Sequence, residues 1–214
     1  MVFFDVHTHK KASLENVFSI ENIYPNSINF INPFSIGIHP WFINKDTIEE
    51  EFLIIEEKLQ EQNCLAIGEC GLDKVTVVDF ELQKIVFRKQ VQLSEKYKKP
   101  LIIHCVKAFQ EIIAFKKEIQ PNEVWILHGF HKNLQVAKSL LKNGIVLSFG
   151  AAIINNTKLQ ALVLEIPLAS ILLETDNDAK EIITIYKKVA EIKNIEVAVL
   201  QQQIEQNFNN IFKR

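Results

Sequence analysis

The histidines of this chain stand at the ends of apolar segments, where they could meet a metal. His7 and His9 are separated by one residue in the opening run VFFDVHTHK. In an extended strand side chains alternate between two faces, so Asp5, His7 and His9 point the same way. Two imidazoles side by side favour a divalent cation, although two chance histidines on an edge strand would give the same pattern.

Further imidazoles and carboxylates end later apolar runs in the same manner. They are His39 in SIGIHPW, Glu69 in CLAIGEC, His104 in LIIHC, His128 in VWILHGF and Asp176 in ILLETD, with His131 just beyond the sixth run. For His39 taken alone, a hydrogen-bonded core histidine remains an open alternative. As a set, imidazoles and carboxylates gathered at strand ends indicate a site for divalent metals.

Short apolar runs alternate with amphipathic segments along the chain. Eight of these runs read as strands: 2–7, 17–21, 34–38, 65–69, 101–104, 124–127, 145–149 and 171–174. Apolar strands spaced by helical patterns predict parallel βαβ units. Eight strands close a TIM-type (β/α)8 barrel, whose active sites lie at the carboxyl ends of the strands. We therefore predict an α/β fold of this type with the candidate ligands at one face.

The first two βα units of this barrel are predicted to be eroded. About ten residues separate the first two strands, and residues 22–33 hold two prolines and several asparagines. A parallel crossover needs a dozen or more residues and normally a helix, so loops or single turns are expected there. The first helix is expected to start near Thr47, capped by Asp46 and with Thr47 and Glu50 spaced as a capping box.

Composition limits the function classes. The 214 residues are 48% hydrophobic, carry a net charge of −2 and include arginine only at Arg88 and Arg214. One domain over residues 1–214 is expected for this length. A long phosphate footprint on nucleic acid normally needs a basic excess with arginines, so it is not indicated. Three cysteines without CxxC spacing, and no apolar stretch of about 20 residues, predict a cytoplasmic protein with no membrane segment.

Seven segments in chain order resemble the signatures of the TatD-type metal-dependent hydrolases. They are DVHTH, GIHPW, AIGECGLD, PLIIHCVKA, ILHGF, GIVLSFG and LLETD, and NFNNIF resembles the closing helix of that family. The match covers nearly the whole chain. It implies an amidohydrolase-like TIM barrel, and several members of the family are deoxyribonucleases.

The resemblance also implies a centre with two divalent ions: zinc, manganese or magnesium. Its six ligands would be His7, His9, Glu69, His104, His128 and Asp176. The first two histidines and the aspartate would hold one ion, and the last two histidines would hold the second. Glu69 would bridge the ions, because a carboxylate between two dications offsets part of their repulsion.

Five more residues receive roles around this centre. His39, His131 and Lys107 are expected to contact the substrate, and His39 could instead orient a ligand. Asp5 either orients an imidazole from behind or simply faces a polar pocket. Asp73 in GLD either hydrogen-bonds near the site or caps the turn into the next helix.

The sequence departs from the family pattern on the side that would face the substrate. Asp176 is followed by NDAKEIITIYKK, where the family usually has Ala-Pro, an aromatic residue and leucine, and then a polar loop with arginine. The arginine that follows HC in the family is also missing, since Val106 and Lys107 stand there. A small or single-stranded substrate is therefore expected.

Three functions stay open on the sequence. The favoured one is hydrolysis of phosphodiester bonds in DNA, or in a small phosphoester, by a hydroxide that a metal activates, with Asp176 and Glu69 as the catalytic carboxylates. The second keeps the site but hydrolyses a small amide, ester or lactone. The third is a catalytically silent metal-binding protein. The fold class alone does not choose between them, and the sequence does not indicate the oligomeric state.

Overall fold

Eight strands carry the candidate ligands in the computed structural model, which describes residues 2–10 and 15–212. The strands are β1 (Phe3–Thr8), β2 (Val17–Ile23), β3 (Phe34–Ile36), β4 (Cys64–Asp73), β5 (Leu101–Val106), β6 (Trp125–Leu127), β7 (Ile145–Phe149) and β8 (Ile171–Leu173). They form one sheet in the order β1 to β8. Every predicted strand is found, and β4 runs further than predicted, to Asp73.

The described residues also form seven α-helices, the first of which follows β3. They are α1 (Ile48–Lys58), α2 (Phe80–Tyr97), α3 (Phe109–Ile119), α4 (Leu134–Lys142), α5 (Thr157–Glu165), α6 (Ile182–Lys193) and α7 (Val197–Phe212). No helix lies between β2 and β3, as the composition of residues 22–33 predicts. The predicted connection between β1 and β2 includes residues 11–14, which lie outside the described residues. None of the helices described is both long and apolar enough to cross a membrane.

The side chains of Asp79, Asn133 and Asn156 cap α2, α4 and α5, whereas α1, α3 and α6 have no side-chain cap. Asp79 caps α2, because its side chain accepts a hydrogen bond from the N–H of Leu82 at 2.9 Å. The predicted capping box of α1 is wrong. Thr47 is the N-cap but already has helical φ and ψ, so its hydroxyl donates to Glu51 Oε1 at 2.9 Å instead of accepting from the first turn. Asp46 does not cap α1 either, since the cap lies one residue later.

The chain divides into two compact units. The terminal unit comprises the described residues of 1–21 and 128–214, and the central unit comprises residues 22–127. In the terminal unit β1 pairs in parallel with β2, β7 pairs in parallel with β8, and Thr8 bridges to Asp176. In the central unit β3, β4, β5 and β6 pair in parallel in that order. Within each unit, side chains at the carboxyl ends of neighbouring strands are therefore brought together.

Aromatic side chains pack against one another within the core of each unit. In the central unit the ring of Phe87 lies 5.5 Å from that of Trp125 and 5.4 Å from that of Phe115, centroid to centroid. In the terminal unit the rings of Phe4 and Phe208 are 4.5 Å apart. Burying side chains of this size stabilises a fold by about 1.5–3 kcal/mol each, which holds the strand ends rigid.

One glycine permits a close approach of β4 to β5. Gly71 has φ +141°, and a Cβ at this position would lie 2.0 Å from the carbonyl oxygen of His104. Any side chain here would push the two strands apart. The glycine therefore keeps the strand that carries Glu69 tightly packed against the strand that carries His104.

Candidate metal centre

The terminal unit brings three of the predicted ligands together. His7 lies in β1, His128 follows β6 in the chain, and Asp176 follows β8. One potential ligand atom from each of the three lies within 4.8 Å of the other two. His7 Nε2 is 3.8 Å from Asp176 Oδ1, and the rings of His7 and His128 are 4.4 Å apart. We term this group the terminal cluster.

His9, the residue directly after β1, also lies beside Asp176. Its Nε2 atom lies 3.4 Å from Asp176 Oδ1, and its ring centroid is 5.2 Å from that of His7. Both imidazoles therefore lie beside the Asp176 carboxylate. The side chain of His7 is fully buried, whereas that of Asp176 is 42% exposed. The cluster thus opens to solvent on the side of Asp176.

Backbone contacts with β1 hold Asp176 in place. Its N–H donates to the carbonyl oxygen of His7 at 2.9 Å, and its own carbonyl oxygen accepts from the N–H of His9 at 3.2 Å. Asp176 has φ +52°, a left-handed conformation that aspartate adopts more readily than most residues. The two backbone bonds fix the carboxylate beside the two histidines that it faces.

A buried chain of hydroxyl groups supports the same turn. Asp5 lies behind it: Oδ1 accepts from the N–H of Thr175 at 2.9 Å, and Oδ2 is 2.6 Å from the Thr175 hydroxyl. The Thr175 hydroxyl is also 2.8 Å from the hydroxyl oxygen of Thr8. The Thr8 hydroxyl in turn donates to the carbonyl oxygen of Asp176 at 3.4 Å. Burial raises the pKa of Asp5 to about 7, although the bonds from Thr175 lower it.

When Asp5 is protonated, each O–H group in this chain can donate its one proton to the next group. The carboxyl O–H then donates to Thr175, Thr175 donates to Thr8, and Thr8 donates to the carbonyl of Asp176. The described partners of the Asp5 carboxyl group are Thr175 and the backbone N–H of His7. Asp5 therefore positions the turn that carries Asp176, and its predicted role in orienting an imidazole stays a prediction.

Glu174 is a residue of this unit for which no role is predicted from the sequence. It is fully buried, and Oε1 accepts from the N–H of Gly129 at 2.6 Å. The same oxygen lies 3.6 Å from Nδ1 of His128, whose side chain is 8% exposed. A carboxylate behind an imidazole is the usual means of fixing the ring of a metal ligand. The sequence feature that could have indicated this role is a charged residue, Glu174, at the end of the apolar run in ILLETD.

The central unit gathers a second set of donors around Glu69. His104 Nδ1 lies 2.7 Å from Glu69 Oε1, and His39 Nε2 lies 3.1 Å from the same oxygen. The side chains of these three residues are 5% (His39), 6% (Glu69) and 13% (His104) exposed. Their potential ligand atoms all lie within 4.8 Å of one another. We term His39, Glu69 and His104 the central cluster.

Buried amides fix the strand ends that carry this cluster. The N–H of Glu69, which follows a cis peptide bond after Gly68, donates to Asn22 Oδ1 at 2.6 Å. Gln90 of α2 accepts from the N–H of Ile38 at 2.8 Å and donates to its carbonyl oxygen at 3.1 Å. Since Ile38 precedes His39, both bonds hold the backbone from which that histidine projects.

Asp73 and Trp41 lie behind His104. Asp73 Oδ2 accepts from Trp41 Nε1 at 2.6 Å and lies 3.2 Å from Nε2 of His104. Its other oxygen accepts from the N–H of Val75 at 2.7 Å. Burial raises the pKa of Asp73, but the bonds from Trp41 and Val75 outweigh it and leave the pKa below its ordinary value. Asp73 thus has one contact with His104 and one bond within the following turn, and its part in the site stays a prediction.

The remaining predicted residues lie outside the two clusters. His131 is exposed, with Nδ1 2.7 Å from the carbonyl oxygen of Gly129 and Nε2 2.9 Å from the amino group of Lys132. Lys107 is exposed at the end of β5 with φ +55°. Their contacts with a substrate stay predictions. Burial raises the pKa of Cys70 well above its ordinary value, in keeping with a packing role.

The donor chemistry of both clusters fits a divalent transition metal. Each cluster combines imidazole nitrogens with one carboxylate, a set that suits zinc, manganese or iron, whereas magnesium prefers oxygen donors. Each carboxylate also has imidazoles against it within 4 Å. The described residues therefore include two donor sets that could bind a metal.

The family comparison decides the affiliation of the chain. A family model described as "TatD related DNase" matches residues 2–213. The chain belongs to the TatD-related DNase family. A relative from Buchnera aphidicola, named "Uncharacterized metal-dependent hydrolase", is 28% identical over 218 residues, which cover 94% of this chain and 81% of that protein. YabD from Bacillus subtilis, also named a metal-dependent hydrolase, is 29% identical over 84% of this chain and 76% of its own length.

Solved structures of the family show the same fold. YjjV, a TatD homologue from Escherichia coli, superposes with a TM-score of 0.81 at 19% identity and covers 99% of this chain and 98% of its own. A TatD-family hydrolase from Entamoeba histolytica gives a TM-score of 0.80 at 18% identity, with the same coverage. The predicted α/β barrel, the predicted family and the class of metal-dependent hydrolases are thereby confirmed.

Proposed function

We propose that the protein hydrolyses phosphodiester bonds of short or single-stranded DNA with the help of two divalent ions. One observation carries the proposal: each unit gathers imidazoles around a carboxylate at the carboxyl ends of its parallel strands. The family description as a DNase supports nucleic acid as the substrate class. A phosphodiester is also the bond that paired metal ions are suited to cleave.

The proposal assigns one ion to each cluster. His7, His9 and Asp176 hold the first ion, with His128 within reach of the same set. Glu69 and His104 hold the second, and His39 orients the Glu69 carboxylate, whose oxygen lies 3.1 Å from its Nε2. The sharing of Glu69 between the ions and the pairing of His104 with His128 stay predictions. Bound dications supply a nucleophile at neutral pH by lowering the pKa of water, and they polarise the phosphoryl group.

Asp176 is assigned the role of proton acceptor. Its carboxylate is 42% exposed, so water reaches it, while its backbone is pinned to β1 on both sides. A general base has to be rigid and within hydrogen-bond reach of the attacking water. Glu69 is less suited to this role, because His39 and His104 both lie against its Oε1 atom.

The surroundings of Asp176 support a small or single-stranded substrate. Only residues 177–181 connect it to α6, which begins at Ile182, so the described chain has no long loop over this side of the site. Lys10 is directed to the carbonyl oxygen of Asp178, and Lys132 contacts His131. With a net charge of −2, the chain offers a few local cations and no long basic track for duplex DNA.

Metal reconstitution followed by a substrate panel tests this function. The purified protein is stripped with a chelator, loaded with zinc or manganese, and assayed on bis-p-nitrophenyl phosphate, a single-stranded oligonucleotide, a carboxyl ester and a lactam. We expect hydrolysis of both phosphodiesters. Turnover of the ester or lactam alone would favour the second function, and the absence of any turnover at full metal occupancy would favour a silent metal-binding protein.

A further inference from the structure

A cavity of about 610 Å³ opens beside His39 within the central unit. Its walls come from the residues after β2, the segment that leads from β3 through His39 to Asn44, and the first two turns of α1. The volume lies within the range of about 300–1,000 Å³ that is typical of small-molecule sites. Neither the metal ligands of the proposal nor the general base occupies this space.

Aromatic rings form one wall of the cavity. Tyr24 and Phe42 meet edge to face with their centroids 5.3 Å apart, and Phe42 lies 5.4 Å from the ring of His39. Phe42 is 55% exposed, so much of its ring is free of packing by the protein. An exposed ring beside a polar site offers a stacking surface for a planar group.

The polar side chains of the cavity are two amides, two carboxylates, two hydroxyls and one imidazole. They belong to Asn26, Asn44, Glu50, Glu51, Tyr24, Thr47 and His39, and the described lining contains no lysine or arginine. Carboxylates without a neighbouring cation repel a phosphate but accept hydrogen bonds from amino groups. Amide and carboxylate side chains are those that read adenine and cytosine through their exocyclic amino groups. The cavity therefore suits a base and disfavours a phosphate.

We propose that this cavity binds one unstacked base of the substrate, with a preference for bases that carry an exocyclic amino group. The inference rests on the proposed function, because the base belongs to the nucleic acid whose phosphate lies at the central cluster. His39 stands at the junction, with its ring against Phe42 and its Nε2 beside Glu69. A base bound here has left its neighbours in the strand, which single-stranded DNA permits at low cost.

The proposal is tested by measuring how strongly the enzyme discriminates between substrates with and without a base. The metal-loaded protein is assayed on a dinucleotide and on the same molecule with one base replaced by hydrogen, and the ratio of the two kcat/KM values is the discrimination factor. One stacked base contributes at least about a fivefold change in binding. We expect Phe42→Ala to lower the factor about fivefold or more, and Phe42→Trp to restore it.

Two further variants separate stacking from general damage. Leu53→Ala removes an apolar side chain of α1 that is 70% exposed and does not line the cavity, and it should keep the parent factor. Glu50→Gln should reduce the preference for deoxycytidine over thymidine in binding titrations with the free nucleosides, because an amide can also donate to the O4 atom of thymine. Equal loss in Phe42→Ala and Leu53→Ala would overturn the stacking role.

The nucleoside titrations distinguish failure of the base site from failure of the proposed hydrolytic function. If diesters are hydrolysed but neither the factor nor deoxycytidine binding depends on Phe42, the base site is overturned and the proposed function stands. If no diester is hydrolysed but deoxycytidine binding weakens in Phe42→Ala and recovers in Phe42→Trp, the hydrolytic function is overturned and the base site stands. Absence of saturable nucleoside binding together with absence of base discrimination also overturns the base site.

Discussion

The Oδ2 atom of Asp5 lies 2.6 Å from the hydroxyl of Thr175, and both side chains are buried. This contact is the first link of a chain that reaches the carbonyl group of Asp176 through Thr8. Because burial raises the pKa of Asp5 to about 7, the contact holds a proton near neutral pH. The position of a proposed metal ligand thus depends on a buried acid two strand positions away from His7.

The contribution of Asp5 to the stability of the metal-free protein should fall as the pH rises from about 4 to about 7. The folded state keeps the Asp5 proton throughout this range, whereas the unfolded chain has lost it above its ordinary pKa of 3.8. A shift of this size corresponds to at most about 4 kcal/mol. Urea denaturation at each pH measures the effect. Asp5→Asn should remove this component, and identical pH profiles for both proteins would contradict the assignment.

Loss of His7 and His9 should remove one ion. We expect about two divalent ions per chain after reconstitution, and His7→Ala combined with His9→Ala should lose at least one of them, because both imidazoles face Asp176. Elemental analysis after gel filtration provides the count. His131→Ala is the matched control, since its ring is exposed and outside both clusters, and it should keep the parent content. A parent protein that binds no zinc or manganese would refute the site.

Asp176→Asn should keep the fold and lose the reaction. The amide preserves the shape and the two backbone bonds to β1 but does not take up a proton. Removing a general base typically costs a factor of about 10² to 10⁴, so kcat should fall by about two orders of magnitude or more. The ion held with His104 should remain. A rate within a few-fold of the parent, at confirmed metal occupancy, would move the role to His39 or His131.

Glu174→Gln should weaken metal binding without unfolding the protein. The amide oxygen can still accept from Gly129, but the charge that faces Nδ1 of His128 is lost. Changes behind a ligating imidazole typically cost about 10- to 100-fold in metal affinity. Competition with a chromogenic chelator measures the loss. Glu165→Gln, on the exposed surface of α5, should match the parent, and an unchanged affinity in Glu174→Gln would exclude the positioning role.

Duplex DNA should be a poor substrate. The five residues between Asp176 and α6 form no long loop, and the net charge of −2 leaves phosphate binding to scattered lysines. We expect a fluorescently labelled single strand to be cut and the same strand annealed to its complement to resist at equal metal occupancy. Efficient cleavage of a long blunt duplex would contradict this and would assign backbone contacts to lysines such as Lys10, Lys74, Lys107 and Lys132.

The strands could be predicted from the sequence because they are apolar on both faces. Short apolar runs such as those of β5 and β7 are typical of buried strands. The position of a ligand at the end of such a run, as of His104 in β5, then follows from the strand assignment. The extension of β4 beyond Glu69 was harder to predict, because it includes Gly71 and ends on Asp73, and a search for apolar runs does not count these residues as strand.

Contacts between distant side chains could not be predicted in this way. Glu174 and Trp41 acquire their roles from His128 and Asp73, which are far from them in sequence. The failed capping box at Thr47 has a similar origin, because backbone angles, and not residue spacing, decide where a hydroxyl points. Pairings of this kind depend on the packing of segments that are distant in the sequence, and local sequence patterns do not indicate that packing.

The contact of β1 with the residues after β8 can form only late in biosynthesis, because its two sides lie near opposite ends of the chain. Thr8 and Asp176 are 168 positions apart, whereas the central cluster is complete once His104 has been made. At about 5–20 residues per second, ribosomes need about 4–14 s to travel from His104 to Asp176. During that interval the nascent chain displays His7 and His9 without their carboxylate partner. The order of translation therefore makes the central donors available to a cation before the terminal ones.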